Sequence, residues 1–187
     1  MPAKADPDLN RLKNRVKPPD SYLPVPLKYF LKLKPKEMKA MRDRPRAQWT
    51  DAARAEAADW EKRGMMIEGY LLNFKQKKQA PESCNCYSKT DRDIHLNLVA
   101  DLGSGMTKAK SMVMEISPRV TRPKWTLATL QQLANAGTRL RISGWLMYDQ
   151  EHVSSIGKSR GTVWEVHPIH EIEYRDAAWV WRKVEER

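Results

Sequence analysis

Two stretches in the last third of the chain alternate strictly. Between 138 and 149, Leu140, Ile142, Gly144 and Leu146 alternate with Arg141, Ser143, Trp145 and Met147. Between 162 and 173, Trp164, Val166 and Pro168 alternate with Val163, Glu165 and His167. A period of two with branched and aromatic residues predicts half-buried strands, and the polar run 150–161 predicts the loop joining them. Three more strands follow from the same test: 65–78, with Gly69 as a bulge or bend; 93–101, with Ile94, Leu96 and Leu98 on one face; and 111–117, with Met112, Met114 and Ile116 on one face. Loops at 75–92, 102–108 and 118–125 separate them. The run 126–137 switches to helical spacing, with Leu127, Leu130 and Leu133 inward and Gly137 at its end.

The N-terminal third reads differently. Residues 36–64 predict helix: a short piece stopped at Pro45, then an Ala-rich one started by Thr50 or Asp51 and stopped at Gly64, with Ala53, Ala57 and Trp60 on one face. Trp49 and Trp60 read as packing anchors. Residues 1–35 carry prolines at 18, 19, 24, 26 and 35, which exclude a long helix. Their apolar residues, from Tyr22 to Leu31, predict an arm that packs on the domain or on a protein partner through 18–35. The expected organisation is an arm at 1–35, a helical segment at 36–64, a barrel at 65–175 and a tail at 176–187 carrying Trp179 and Trp181.

The order strand, loop, strand, strand, helix, strand, strand resembles the OB-fold, a five-stranded Greek-key barrel with a helix between its third and fourth strands. The expected fold class is therefore mainly β, an OB-like barrel with a helical N-terminal extension. The patterns Gly144-Trp145-Leu146-Met147-Tyr148-Asp149 with Glu151-His152, and Trp164-Glu165 with His167-Pro168, also resemble those of a group of uncharacterised bacterial proteins. That likeness implies no mechanism.

Charge narrows the function. The chain has 187 residues, 34 Lys+Arg against 23 Asp+Glu, and a net charge of +11. Residues 1–64 hold 16 basic and 9 acidic residues, a surplus of +7; the remainder holds 18 and 14, a surplus of +4. Such a surplus suggests nucleic acid as a partner, with a merely soluble basic protein as the plainer reading. The OB resemblance implies a ligand between the first loop and the loop joining the last two strands. It brings forward Lys75, Lys77, Lys78, Arg119, Arg122, Lys124, Arg141, Lys158 and Arg160 as phosphate contacts. Tyr87, Trp125 and Trp145 become the stacking candidates for single-stranded DNA or RNA. Tryptophans in strands more often pack than stack.

A second group is chemical. Asp93, His95, Glu115, Glu165 and His167 fall on neighbouring strands, pointing away from the Ile94/Leu96/Leu98 face. His95, Glu115 and His167 could hold a divalent metal or act in acid–base chemistry, with Asp93 and Glu165 beside them. The competing reading is a surface lattice of His–carboxylate pairs. The run Asp91-Arg92-Asp93-Ile94-His95 is loosely similar to the acidic Asp-Gly-Asp-Thr motif of staphylococcal-type nucleases. It lacks the glycine and the threonine, so metal-dependent phosphodiester cleavage is an alternative to non-enzymatic binding. A structural subunit docking through its arm is another. No cofactor is expected beyond that metal. Cys84 and Cys86 sit too close for an ordinary disulfide and have no second pair for a metal site. A mean hydropathy of −0.72 and the lack of a long apolar run suggest a cytoplasmic, non-membrane protein.

Overall fold

The computed structural model of the protein describes residues 6–41, 44–72, 82, 85–121 and 125–184. Among these residues seven strands form one sheet: β1 (Tyr22–Pro24), β2 (Gly64–Leu71), β3 (Ile94–Val99), β4 (Met112–Ile116), β5 (Arg139–Tyr148), β6 (Trp164–Arg175) and β7 (Trp181–Lys183). Five of them close a barrel in the order β2-β3-β4-β6-β5 and back to β2. The β4–β6 contact is parallel and the other four are antiparallel. Helix α6 (Leu127–Asn135) lies between β4 and β5 in the chain. This is an OB-like Greek-key barrel.

The alternating apolar positions make its core. Met65, Ile67, Leu96, Leu98, Met112, Met114, Leu140, Ile142, Leu146, Trp164 and Val166 are all buried in one cluster. Each such side chain contributes roughly 1.5–3 kcal/mol on leaving water. Leu130 and Ala134 of α6 join that cluster, and Trp125 just before the helix packs there too. The Trp125 indole donates to the Val184 carbonyl at 2.9 Å.

Helix α4 (Asp51–Glu61) packs on β5. Thr50 caps it by accepting from the Ala53 amide. Its Ala53 and Ala57 are buried, so the predicted inner face is the observed one. An aromatic chain runs from it into the barrel: Trp49 to Tyr148 (5.7 Å), Tyr148 to Trp164 (5.3 Å) and Trp164 to Trp60 (6.0 Å), the first two edge-to-face. Both N-terminal tryptophans are packing anchors.

Two glycines behave otherwise than the sequence suggests. Gly64 does not end α4; that helix closes at Lys62, and Gly64 opens β2. A side chain there would run into Pro19 Cβ, so the glycine serves the close approach of the arm. Gly69 is not a bulge either, since β2 stays in register with β5 through Gly69 and Leu140. A Cβ at Gly69 would meet the Val99 carbonyl and Leu98. The register shifts lie instead between Ser143 and Leu146, where β5 bends against β6.

The arm packs on its own domain. Helix α1 (Pro7–Lys13) is capped by Asp6, then β1 adds in parallel to β2, and α2 (Leu27–Lys32) buries Leu27 and Phe30 in the core. A short α3 (Met38–Met41) follows. Arg15 fixes the crossing. It donates to the carbonyls of Glu61 (2.7 Å), Leu146 (3.0 Å) and His167 (3.2 Å), and its guanidinium lies 4.6 Å above the Trp145 ring.

Candidate functional site

Three adjacent strands of the barrel present a polar face. Antiparallel pairing puts His95 of β3 opposite Glu115 of β4. Parallel pairing puts Val113 of β4 opposite Glu165 of β6, so Glu115 and His167, two residues further on, meet as well. Register, invisible in the sequence, is thus what gathers the side chains.

The gathered groups converge closely. Glu115 Oε2 lies 2.8 Å from His167 Nδ1 and 3.5 Å from His95 Nε2. His167 Nδ1 lies 3.2 Å from Glu165 Oε1, and His167 Nε2 lies 3.5 Å from Asp93 Oδ2. His95 Nε2 also reaches Glu82 Oε1 at 3.2 Å. Asn85 donates to Asp93 at 3.1 Å.

The cluster is not the surface lattice that alternation allows. Asp93, Glu115, Glu165 and His167 are all buried, and His95 alone of the five predicted residues has a partly open side chain, 36% exposed. The cover comes from elements distant in sequence. Lys13 of α1 approaches the cluster from the arm, and Asn85 and Glu82 from the first loop. From the last loop, Arg160 donates to Glu165 at 3.2 Å and reaches Asp149 at 2.7 Å. Asp149 in turn holds His152 Nδ1 at 2.7 Å.

The electrostatics follow from that crowding. Burial opposes charge on His167, yet Glu115, Glu165 and Asp93 outweigh it and push its pKa up to about 10. His95 is treated the same way by Glu115 and Glu82, up to about 9. Glu115 is fully enclosed, which disfavours its charge, but His95, His167 and Lys13 hold it well below the usual carboxylate range. Asp93 and Glu165 go the other way: burial, with Glu115 nearby, raises both. Lys13 stays charged against its own burial because Glu115, Glu165, Asp149 and Glu151 surround it.

The residues expected on a nucleic-acid face divide. Tyr87, Arg119 and Lys158 are exposed, and Arg119 Nη2 lies 3.1 Å from Cys86 Sγ, which places the first loop beside the short helix α5 (Pro118–Thr121). Trp145 is half-buried, held by its donation to the Lys17 carbonyl at 2.9 Å, beside an open cleft of about 470 Å³ lined by Arg11, Arg54 and Lys62 among others. Arg141 is engaged by Glu68 at 3.0 Å and stacks 4.1 Å over Trp181. Arg160 and Trp125 are enclosed, Arg160 by two carboxylates and Trp125 by the core. Lys75, Lys77, Lys78, Arg122, Lys124 and Cys84 lie outside the described residues.

Sequence reasoning missed Lys13, Glu82, Asp149 and His152 as parts of the network. The last two stand in the MYD-x-EH run, whose only signal was an acid three residues before a histidine. A scan against protein-family models, a search of curated proteins and a search of solved structures each return no match for this chain. Among the described residues no helix is long and apolar enough to cross a membrane.

Proposed function

We propose that this chain is a non-enzymatic OB-fold protein that binds nucleic acid, single-stranded DNA or RNA, on its basic surface. One observation carries the reading. Among the described residues the fold buries five carboxylates (Glu61, Asp93, Glu115, Asp149 and Glu165) but only two guanidinium groups (Arg46 and Arg160). The described residues include 26 basic and 20 acidic ones, a surplus of +6; with the buried ones set aside, 24 basic and 15 acidic side chains are left. The surplus among these is +9, larger than that of the described residues together. Folding therefore concentrates positive charge outward, as a polyanion-binding surface requires.

Exposed Lys89 and Lys158 supply cations from the two loops that flank the usual OB ligand face, Arg119 adds one from α5, and Tyr87 supplies a ring. The enclosure of Asp93, Glu115 and His167 argues against cleavage chemistry at that cluster, since a phosphodiester must reach the catalytic groups. The docking-subunit reading loses Leu27 and Phe30, which are buried in this chain's own core, and keeps Leu23, Tyr29 and Trp179, which are exposed.

Fluorescence anisotropy with a labelled single-stranded DNA and a single-stranded RNA across a salt series tests the proposal. Affinity falling linearly on a log–log plot, with a slope of about −0.7 per phosphate neutralised, is the expected result. No binding to either strand at low salt overturns it.

A further inference from the structure

We infer that Asp93, Glu115 and His167 form a binding site for one divalent transition-metal ion of the zinc–manganese class. The three residues each offer a ligand atom, and those atoms all lie within 4.8 Å of one another. An ion with bonds of about 2 Å in tetrahedral geometry holds neighbouring ligand atoms roughly 3.3 Å apart. The 3.5 Å gap between His167 Nε2 and Asp93 Oδ2 is close to such an edge.

The hydrogen bonding points the same way. Glu115 Oε2, His95 Nε2 and His167 Nε2 are buried and lack a hydrogen bond of good geometry, although charged partners stand near them. Buried polar atoms left in that condition are rare and need a reason. His167 shows the reason most clearly. Its Nδ1 faces two carboxylates: Glu165 Oε1, which accepts from it at 3.2 Å, and Glu115 Oε2 at 2.8 Å. Those contacts fix the ring and turn Nε2 toward the Asp93 carboxylate, 3.5 Å away. Without an ion, a proton on Nε2 answers the Asp93 charge; a divalent ion takes that proton's place between the two and releases it. A carboxylate that orients a ligating histidine through its other nitrogen is the usual support of a metal site.

Charge and access agree. Five carboxylates (Glu82, Asp93, Glu115, Asp149 and Glu165) surround the centre, and Lys13 and Arg160 are the cations that face them without being histidines. Asp93 also belongs to a second group, with Glu82 and His95, whose ligand atoms lie within 4.8 Å. His95 and Glu82 keep 36% and 24% of their side chains open, so this second group marks the way in from solvent. One imidazole with two carboxylates suits zinc, manganese or iron over calcium or magnesium. The centre holds three barrel strands together from outside the core, and this role does not depend on the nucleic-acid reading.

The test uses the full chain, stripped with EDTA and dialysed. Titration with Zn²⁺ by calorimetry and with Co²⁺ by visible absorption is expected to show one ion per chain, with d–d bands of a low-coordinate nitrogen–oxygen site. Asp93→Asn and His167→Asn should abolish stoichiometric binding. Glu165→Gln should weaken it at least about tenfold, as loss of an orienting partner does. Circular dichroism establishes whether each variant folds; if the Asn variants do not, the wild-type titration and Glu165→Gln decide. Wild-type protein that takes up no Zn²⁺, Co²⁺ or Mn²⁺ at micromolar concentration overturns the inference. So does a folded Asp93→Asn variant with unchanged affinity. Anisotropy with and without EDTA keeps this result separate from nucleic-acid binding.

Discussion

Arg46 and Glu61 form a two-pronged ion pair inside the protein, at 2.8 and 2.6 Å, and both also clamp the backbone of Tyr148. Arg46 Nη2 donates to the Tyr148 carbonyl, and Glu61 Oε1 accepts from the Tyr148 amide, each at 2.8 Å. The turn before α4, the end of α4 and the last residue of β5 are thereby one unit. Removing one partner strands the other charge in the interior, which typically costs about 3–5 kcal/mol. Glu61→Ala should lose about that much stability in urea denaturation. Arg46→Met/Glu61→Leu should lose markedly less, and equal losses for the two proteins would contradict the account.

Gly144 sits where β5 shifts register against β6. A Cβ there would collide with the Pro168 carbonyl and come within 2.7 Å of Val166 Cγ1. Forcing extra atoms into a packed site usually costs about 1–3 kcal/mol. Gly144→Ala should destabilise by at least that much, while Gly103→Ala, where a Cβ meets nothing within 4 Å, should change the unfolding midpoint little.

His152 titrates above its ordinary range because Asp149 hydrogen-bonds its Nδ1, with burial opposing. A raised folded-state pKa means that the pair stabilises fully below about pH 6.5 and stops doing so as pH rises through the higher folded value. Asp149 is depressed against its burial by His152 and Arg160. Its own contribution is therefore present above its unfolded pKa, near 4, and lost in stronger acid. NMR of the His152 ring should give a midpoint above 6.5. The stability gap between wild type and His152→Asn should shrink as pH rises past that midpoint. A midpoint at or below 6.5 would remove the assignment.

Charge reversal tests the proposed binding surface residue by residue. Lys89→Glu, Arg119→Glu and Lys158→Glu should each weaken single-strand binding and lower the magnitude of the salt slope by about 0.7, one phosphate contact apiece. Lys28→Glu, whose wild-type lysine is paired to Asp101 at 2.9 Å, should leave the slope unchanged. Equal effects at all four positions would point to net charge alone.

The barrel was legible because its signal is local. Leu96, Leu98, Met112, Met114, Leu140 and Ile142 alternate within single strands, and alternation needs no knowledge of partners. The cluster was legible in membership but not in burial. His95, Glu115 and His167 could be named from their shared outward parity, yet the residues that enclose them, Lys13 and Arg160, come from opposite ends of the chain. Arg160 illustrates the difficulty. A loop arginine reads as a phosphate contact until Asp149 and Glu165 are seen to claim it. Gly64 failed for a related reason: the arm residue Pro19, 45 positions earlier, decides its role.

The short strand β1 has a consequence for how the protein behaves in a crowded solution. β2 gives only Tyr70 and Leu71 to β3, so the first half of β2 would face outward on that side with unpaired amides and carbonyls. Tyr22, Leu23 and Pro24 lie alongside Gly64, Met65 and Met66 and occupy that edge. Open edges recruit strands from other molecules, and proline on an outer strand discourages further pairing. With Pro24 closing β1 and Pro26 two residues on, the arm acts as a guard against self-association. A chain cut short of residue 25 would present a sticky edge to its neighbours.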